Sequence, residues 1–337
     1  MPQFKKPTNG INASITAIGG YVPDEILSNK KLESMVDTND AWIQSKTGIK
    51  ERRILNDPNK ATSYLAVMAA KKLISKNLID PKQIDMVIVA TATPDMQIAA
   101  TSAYVATKIG ATNAFGYDLQ AACSGFLYAM SMAVGKIESG RYKKILVIGA
   151  DKMSSLINYQ DRSTCIIFGD GAGAVLFEPN KEKLGWQDEF FKSDGGDRDS
   201  LKVKAGGSLF PASKTSVLNQ DHYLSMDGRK VFKSAVSAMT EAGTKILQRN
   251  NISGDQVDYL LAHQANERII ESVAEKMKLH PNKVLKNIAF YGNTTAATIP
   301  LLLSDFENKF KKGDKIIFAA FGGGYTWGAA YYIWSKN

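Results

Sequence analysis

The sequence predicts an α/β fold built from two related halves, each a sheet covered by helices on both faces. Three observations lead there. Apolar runs such as MVIVA (86–90), KILVIGA (144–150) and KIIFAAF (315–321) are continuous rather than alternating, which suits strands buried on both faces. Each follows a stretch of helical length and a short turn, the order expected of β–α–β units. The chain also repeats itself: KKLISKNLIDPKQIDMVIVATAT (71–93) matches TKILQRNNISGDQVDYLLAHQAN (244–266) at an offset of 173 residues. Identities include Asn77/Asn250, Gln83/Gln256 and Asp85/Asp258. KKILVIGA (143–150) parallels DKIIFAAF (314–321) at an offset of 171.

The elements follow in order. In the first half, a helix ends near Lys76, a turn through Asp80–Pro81 follows, and the 84–90 run makes a strand. A second helix precedes Gly140, and 143–150 makes the next strand. GAGAVLF (171–177) closes that half, as GAAYYIW (328–334) closes the other. The pattern predicts a mainly parallel sheet in each half, with residues 1–180 forming the first and 181–337 the second.

The 337 residues carry a net charge of +9, with 44% hydrophobic and 22% charged side chains, as in an ordinary globular protein. No apolar run is long enough to span a membrane. The segment MPQFKKPTNG lacks the apolar core of a signal peptide. Two cysteines and three scattered histidines offer neither a disulfide framework nor metal-ligand spacing. A cytoplasmic protein with no metal and no membrane or nucleic-acid partner is expected, its basic surface suited to acidic partners.

The chemistry points to Cys123. It lies in GYDLQAACSGFLYAMSMA (116–133), where a run able to form a buried strand stops at Gln120 and a small-residue helix begins. A thiol at a helix start is expected to be drawn toward thiolate. His263 in YLLAHQAN and Asn293 in YGNTTAATIP each follow an apolar run. The repeat places Asn293 on a strand-to-helix turn equivalent to that of Cys123, and His263 at a strand end equivalent to Ala90. Ligands of parallel α/β sheets bind beyond such strand ends. Cys, His and Asn together suit covalent acyl transfer. A papain-type hydrolase has the same three residues in the same order, but its Cys lies in a C-G-[SA]-C-[WY] context near the mature N-terminus. Here AACSGF lies in mid-chain.

Seven segments in order, VDTNDAWIQSKTGIKERRI (36–54), VIVATATPD (87–95), DLQAACSGF (118–126), DRSTCIIFGDGAGAVLFEP (161–179), HQAN with Arg268, YGNTTAATIP (291–300) and FGGGYTWGAA (321–330), make the chain resemble β-ketoacyl-acyl carrier protein synthase III. This is the condensing enzyme that begins type II fatty acid synthesis, within the thiolase-like superfamily. The resemblance implies a layered αβαβα arrangement of two thiolase-like halves. It implies that Cys123 takes the acyl group from acyl-CoA, and that His263 and Asn293 serve the decarboxylative condensation with malonyl-acyl carrier protein. The backbone N–H groups of Cys123 and Gly323 would form an oxyanion hole. Trp42 and Arg162 would sandwich the CoA adenine near Thr38. Lys46 stands where the family often has Arg, and Phe232 would line the pantetheine channel. Lys233 and Arg268 would meet the carrier protein. Ile98, where the family often has an aromatic residue, would reach the partner subunit's acyl pocket in a homodimer. No cofactor is implied, since acyl-CoA and the malonyl carrier are substrates.

A related ketosynthase of secondary metabolism fits the same motifs. A thiolase should use a second catalytic Cys, and Cys165 lies in an expected strand. A hydroxymethylglutaryl-CoA synthase needs a Glu base, and none stands beside Cys123. A non-catalytic carrier-binding protein would not need Cys, His and Asn together.

Overall fold

A computed structural model describes residues 10–337, so nearly all of the MPQFKKPTNG segment lies outside it. Nine strands form two main sheets. The first takes β1 (Asn12–Tyr21), β2 (Met86–Ala90), β3 (Phe115–Leu119), β4 (Ile145–Lys152) and β5 (Asp170–Asn180), in the order β1-β5-β4-β2-β3. The second takes β6 (Gly185–Ser193), β7 (Tyr259–Ala262), β8 (Lys315–Gly322) and β9 (Thr326–Ile333), in the order β7-β8-β9-β6. Read from the other end, the second order repeats the first. In place of a fifth strand, Val284 makes a single parallel bridge to Leu260.

Both sheets are mixed, which corrects the expectation of mainly parallel sheets. β2 pairs parallel with β3 and β4, but β5 runs antiparallel to both β4 and β1. In the second sheet β7 and β8 are parallel, while β9 is antiparallel to β8 and β6. The GAGAVLF and GAAYYIW strands return without a crossover helix of the length a parallel connection requires.

Layering follows from which side chains share a core. Helices α1 (Thr62–Lys76), α2 (Gly125–Glu138), α3 (Gly228–Arg249) and α4 (Thr298–Phe306) contribute to these cores. Phe126, Met130, Ile299 and Leu302, from α2 and α4, share one core with Ile88 and Val147 of the first sheet and Phe318 and Ala330 of the second. The alternate residues Val87, Val89 and Ile148 face away and pack with Leu65, Ala66 and Ala69 of α1. On the far side of the second sheet, Ile317 and Ala319 pack with Met239 and Ile246 of α3. The two-residue period of a strand thus feeds two cores from one sheet. The result is five layers, α–β–α–β–α, with α2 and α4 in the middle.

Two local expectations fail. β3, read as a buried strand, is the free edge of the first sheet, with Phe115 exposed and the rest partly so. Cys165, read as strand, ends a short helix, Arg162–Cys165, whose N-cap Asp161 accepts from Ser163 N–H. An Asp before a run of small polar residues is a helix-start signal that outweighs the apolar IIF that follows.

Candidate active site

The middle helices aim their N-terminal ends at the site. Cys123 lies in the 3₁₀ turn Ala122–Ser124 that leads into α2, and a matching turn, Thr295–Ala297, leads into α4. The residues that open these turns, Ala122 and Thr295, both adopt left-handed backbone, φ 46° and 51°. Asn293 precedes its turn as expected, but a short helix, Ile288–Tyr291, and not a strand leads into it. Its backbone is held by the other half instead: Asn293 N–H donates to Ile167 O (2.9 Å) and Gly169 N–H to Asn293 O (3.1 Å). His263 directly follows β7, and its N–H donates to Ala319 O (2.8 Å).

Cys123, His263 and Asn293 line one cavity of about 230 Å³, together with Phe168, Phe232 and Lys46. All three are buried. Cys123 and Phe168 also line a second cavity of about 440 Å³, which extends past Leu156, Thr295 and Gly323. The thiol therefore sits where two spaces meet.

The expected helix-driven thiolate is not what the surroundings favour. Burial, followed by the charge of Asp151, pushes the Cys123 thiol up to about 12. A desolvated thiol keeps its proton. Burial likewise lowers His263 to about 3, so its imidazole is neutral at ordinary pH. The pair rests as thiol and neutral imidazole. Cys165, also buried, is pushed up to about 11 chiefly by burial, and does not line either of these cavities.

Hydrogen bonds orient the other groups. Asn293 Oδ1 accepts from Thr295 N–H (2.8 Å), which turns its amide NH₂ away from that turn. His263 Nδ1 lies 2.8 Å from Thr298 Oγ1. Gly323 lines the second cavity, whereas its neighbour Gly322 packs on the nucleophile turn. A Cβ on Gly322 would lie 2.9 Å from Cys123 N and 2.8 Å from Ala121 O, so only glycine permits this approach. The hydroxyls of Ser124 and Thr326 meet at 2.6 Å, and both bond Ala121 O.

Beneath these turns lies a carboxylate that sequence reading missed. Asp151, at the end of β4, is fully buried. Its Oδ1 accepts from Thr91 Oγ1 (3.0 Å), Ala92 N–H (2.7 Å) and both groups of Thr93. Its Oδ2 accepts from Thr295 Oγ1 and from Ala296 N–H (3.0 Å). The available signal was an acidic residue placed straight after an apolar strand.

At the outer end, the Arg162 guanidinium lies 5.1 Å from the Trp42 ring centre. Arg162 also donates to Asp37 O (2.9 Å). Thr38 Oγ1 is buried without a hydrogen-bond partner among the described residues. Lys46 is exposed and lines the first cavity. Arg268 lies 5.4 Å from the ring centre of Phe232, and both Arg268 and Lys233 are exposed. Ile98 stays out of the cavity behind its own Cys123; it is fully exposed, at φ 76°, beside Met96 and Gly206 in a third, outer cavity.

Comparison with known proteins decides the family. The model of 3-oxoacyl-[acyl-carrier-protein (ACP)] synthase III matches residues 117–195, and that of its C-terminal region matches 247–334. Beta-ketoacyl-[acyl-carrier-protein] synthase III 2 of Bacteroides thetaiotaomicron is 54% identical over 97% of this chain and 98% of its own. The chain belongs to the synthase III family. A Chlorobium chlorochromatii synthase III is 52% identical, over 96% of this chain and 100% of its own. The crystal structure of the Aquifex aeolicus synthase III superposes with a TM-score of 0.88 at 38% identity, covering 96% of this chain and 100% of that one. Like these relatives, this synthase III chain has the thiolase-like layered fold.

Proposed function

We infer that this protein is the condensing acyltransferase that begins type II fatty acid synthesis, joining an acyl-CoA primer to malonyl-acyl carrier protein. One observation carries the reading: Cys123, His263 and Asn293, from separate halves, line one cavity together with Phe232. Family membership over nearly the whole chain supports it.

The steps follow from the groups present. Cys123 attacks the acyl-CoA thioester and loses its proton as it does so. An S–C bond forms, the CoA sulfur leaves with a proton, and the N–H groups of Cys123 and Gly323 hold the carbonyl oxygen. Malonyl-acyl carrier protein then binds with its thioester carbonyl near His263 and Asn293. Loss of CO₂ leaves an enolate, which two neutral donors stabilise better than a charged base would. The enolate carbon attacks the acyl-Cys carbonyl, the S–C bond breaks, and the Cys123 sulfur leaves as thiolate and takes one proton from solvent. The route needs no metal or redox cofactor, because decarboxylation supplies the carbanion.

Trp42, Arg162 and Thr38 are assigned to the CoA nucleotide end. A guanidinium facing an indole can clasp an adenine between them, and the unpartnered Thr38 hydroxyl has a bond to give. Lys46 is assigned to phosphate and Phe232 to the pantetheine wall. Lys233 and Arg268 are assigned to the acidic carrier protein. A homodimer is proposed from two exposed features: Ile98, and the free edge of β3 with Phe115. An apolar sheet edge calls for pairing or cover, and Ile98 would then enter the partner's acyl cavity. Among the described residues no helix is long and apolar enough to cross a membrane. A cytoplasmic location is proposed from two free cysteines.

The test is intact-protein mass after exposure to single acyl-CoAs, followed by malonyl-acyl carrier protein with CO₂ measured. One acyl mass on Cys123, discharged only with CO₂ release, is expected. Acyl transfer to water in place of the malonyl carrier would overturn the reading.

A further inference from the structure

The turn that follows Asn293 controls more than the asparagine. Thr298, the first residue of α4, is buried, and its hydroxyl has two neighbours: His263 Nδ1 at 2.8 Å and Thr295 O at 3.0 Å. A hydroxyl has one proton to give. The Thr295 carbonyl already accepts the backbone N–H of Thr298. Among the described residues His263 Nδ1 has no other hydrogen-bond partner, and it is the shorter contact. The two contacts alone permit either direction, since Nδ1–H could donate to Oγ1 while the hydroxyl donates to Thr295 O. The donor role of His263 Nε2 decides between them, because it leaves Nδ1 an acceptor and the Thr298 hydroxyl the donor within reach.

We propose that Thr298 is a positioning residue that donates to His263 Nδ1 and so fixes the neutral imidazole as its Nε2–H tautomer, with that N–H presented to the cavity. The inference rests on the reading of His263 as a hydrogen-bond donor to the malonyl thioester. It adds the cause: which imidazole nitrogen holds the proton is set by the bond at the other. The opposite tautomer would offer a lone pair to an enolate oxygen and repel it. Burial keeps His263 from taking a second proton, which would make both nitrogens donors without help. The same turn thus prepares two donors. Thr295 N–H holds Asn293 Oδ1 so that the amide NH₂ is left free, and Thr298 holds Nδ1 so that Nε2–H is left free.

The chain has three histidines, so the tautomer can be read directly. Long-range ¹H–¹⁵N spectra of ¹⁵N-histidine-labelled full-length protein, assigned with His222→Gln and His280→Gln, should show His263 as Nε2–H at pH 7. Thr298→Val, of similar shape but with no hydroxyl, should lose the single tautomer and lower condensation about 10- to 100-fold, the range for lost histidine-orienting partners at other sites. Acyl-Cys formation by mass should change less than about threefold, and Thr298→Ser should restore both spectrum and rate, since a threonine packing role would not survive that change. An Nδ1–H signal in the wild type overturns the inference, and that measurement needs no variant to fold. A Thr298→Val variant with unchanged tautomer and condensation also overturns it. Full condensation by His263→Ala, with the wild-type Nε2–H signal intact, would instead overturn the reading of His263 as donor.

Discussion

Asp151 Oδ2 accepts the hydroxyl of Thr295 across the seam between the halves, from residues 144 apart in the chain. Its other oxygen holds the Thr91–Thr93 loop, which leads toward Ile98. One carboxylate therefore ties the Asn293 turn to the loop that ends at the outer cavity. All of its partners donate, so an amide NH₂ in its place faces a donor whichever way it turns. Asp151→Asn should lower stability by about 1–3 kcal/mol, read as a drop in the urea midpoint, and should slow condensation. An unchanged midpoint would show that the seam is held elsewhere.

The second prediction concerns the thiols. With Cys123 pushed up to about 12 by burial, alkylation of the free enzyme by iodoacetamide should climb steadily with pH and show no inflection near 7. Cys123→Ala should abolish the acyl-enzyme. Cys165→Ala should leave it intact. An inflection near pH 7 assigned to Cys123 would mean that the helix end, not burial, governs this thiol.

These particular residues show what a sequence can and cannot disclose. That Cys123, His263 and Asn293 share one cavity was legible from the internal repeat, although a short helix, not the expected strand, leads into Asn293. The five layers were implied by the resemblance, not by any local pattern. Asp151, Gly322 and Thr298 were not legible. Their roles depend on contacts with segments tens to hundreds of residues away, such as the approach of Gly322 to Cys123 N. The thiol's charge state was misread because helix position is a local property, whereas burial depends on the whole fold. The mixed pairing of the sheets was missed because a doubly buried strand has the same composition in either direction.

Gly322→Ala gives a third prediction. Its Cβ would press on Cys123 N and Ala121 O, both backbone atoms that cannot swing aside. The nucleophile turn must then shift, and the Cys123 N–H leaves the position proposed for the oxyanion. Acyl-enzyme formation should fall about 10²- to 10³-fold, the range for a lost oxyanion donor. Single-turnover acylation measures it. A loss below tenfold would mean that this N–H is not in the oxyanion hole.

The fourth prediction follows from His263. Its folded pKa is depressed to about 3 from an ordinary value of 6.5, so the neutral form belongs to the fold and the unfolded chain binds the proton. That contribution to stability is fully present above pH 6.5 and is lost as pH falls toward 3. Between pH 7 and pH 5 it should amount to about 2 kcal/mol. Because carboxylates titrate in the same range, the comparison is the difference between wild type and His263→Gln, followed by urea unfolding at several pH values. The wild type should lose more stability on acidification. Parallel curves would mean that His263 is not held neutral by burial.

The last prediction tests the carrier surface. Lys233 and Arg268 are exposed, and Arg268 stacks on Phe232 beside the first cavity. A cation held at a channel mouth can meet an acidic carrier before its pantetheine arm enters. Lys233→Glu should raise the KM for malonyl-acyl carrier protein and leave acylation by acyl-CoA nearly unchanged. Arg268→Glu should do the same with a larger effect, because it also removes the cation–π contact on Phe232, which lines the first cavity. Exposed charges act over about 8 Å at physiological ionic strength. Added salt should therefore raise the wild-type KM for the carrier and affect the charge-reversed proteins less. Steady-state assays at two or three salt concentrations decide the matter: equal loss of both half-reactions would assign these residues to the CoA channel, and an unchanged KM would move the carrier site to another face.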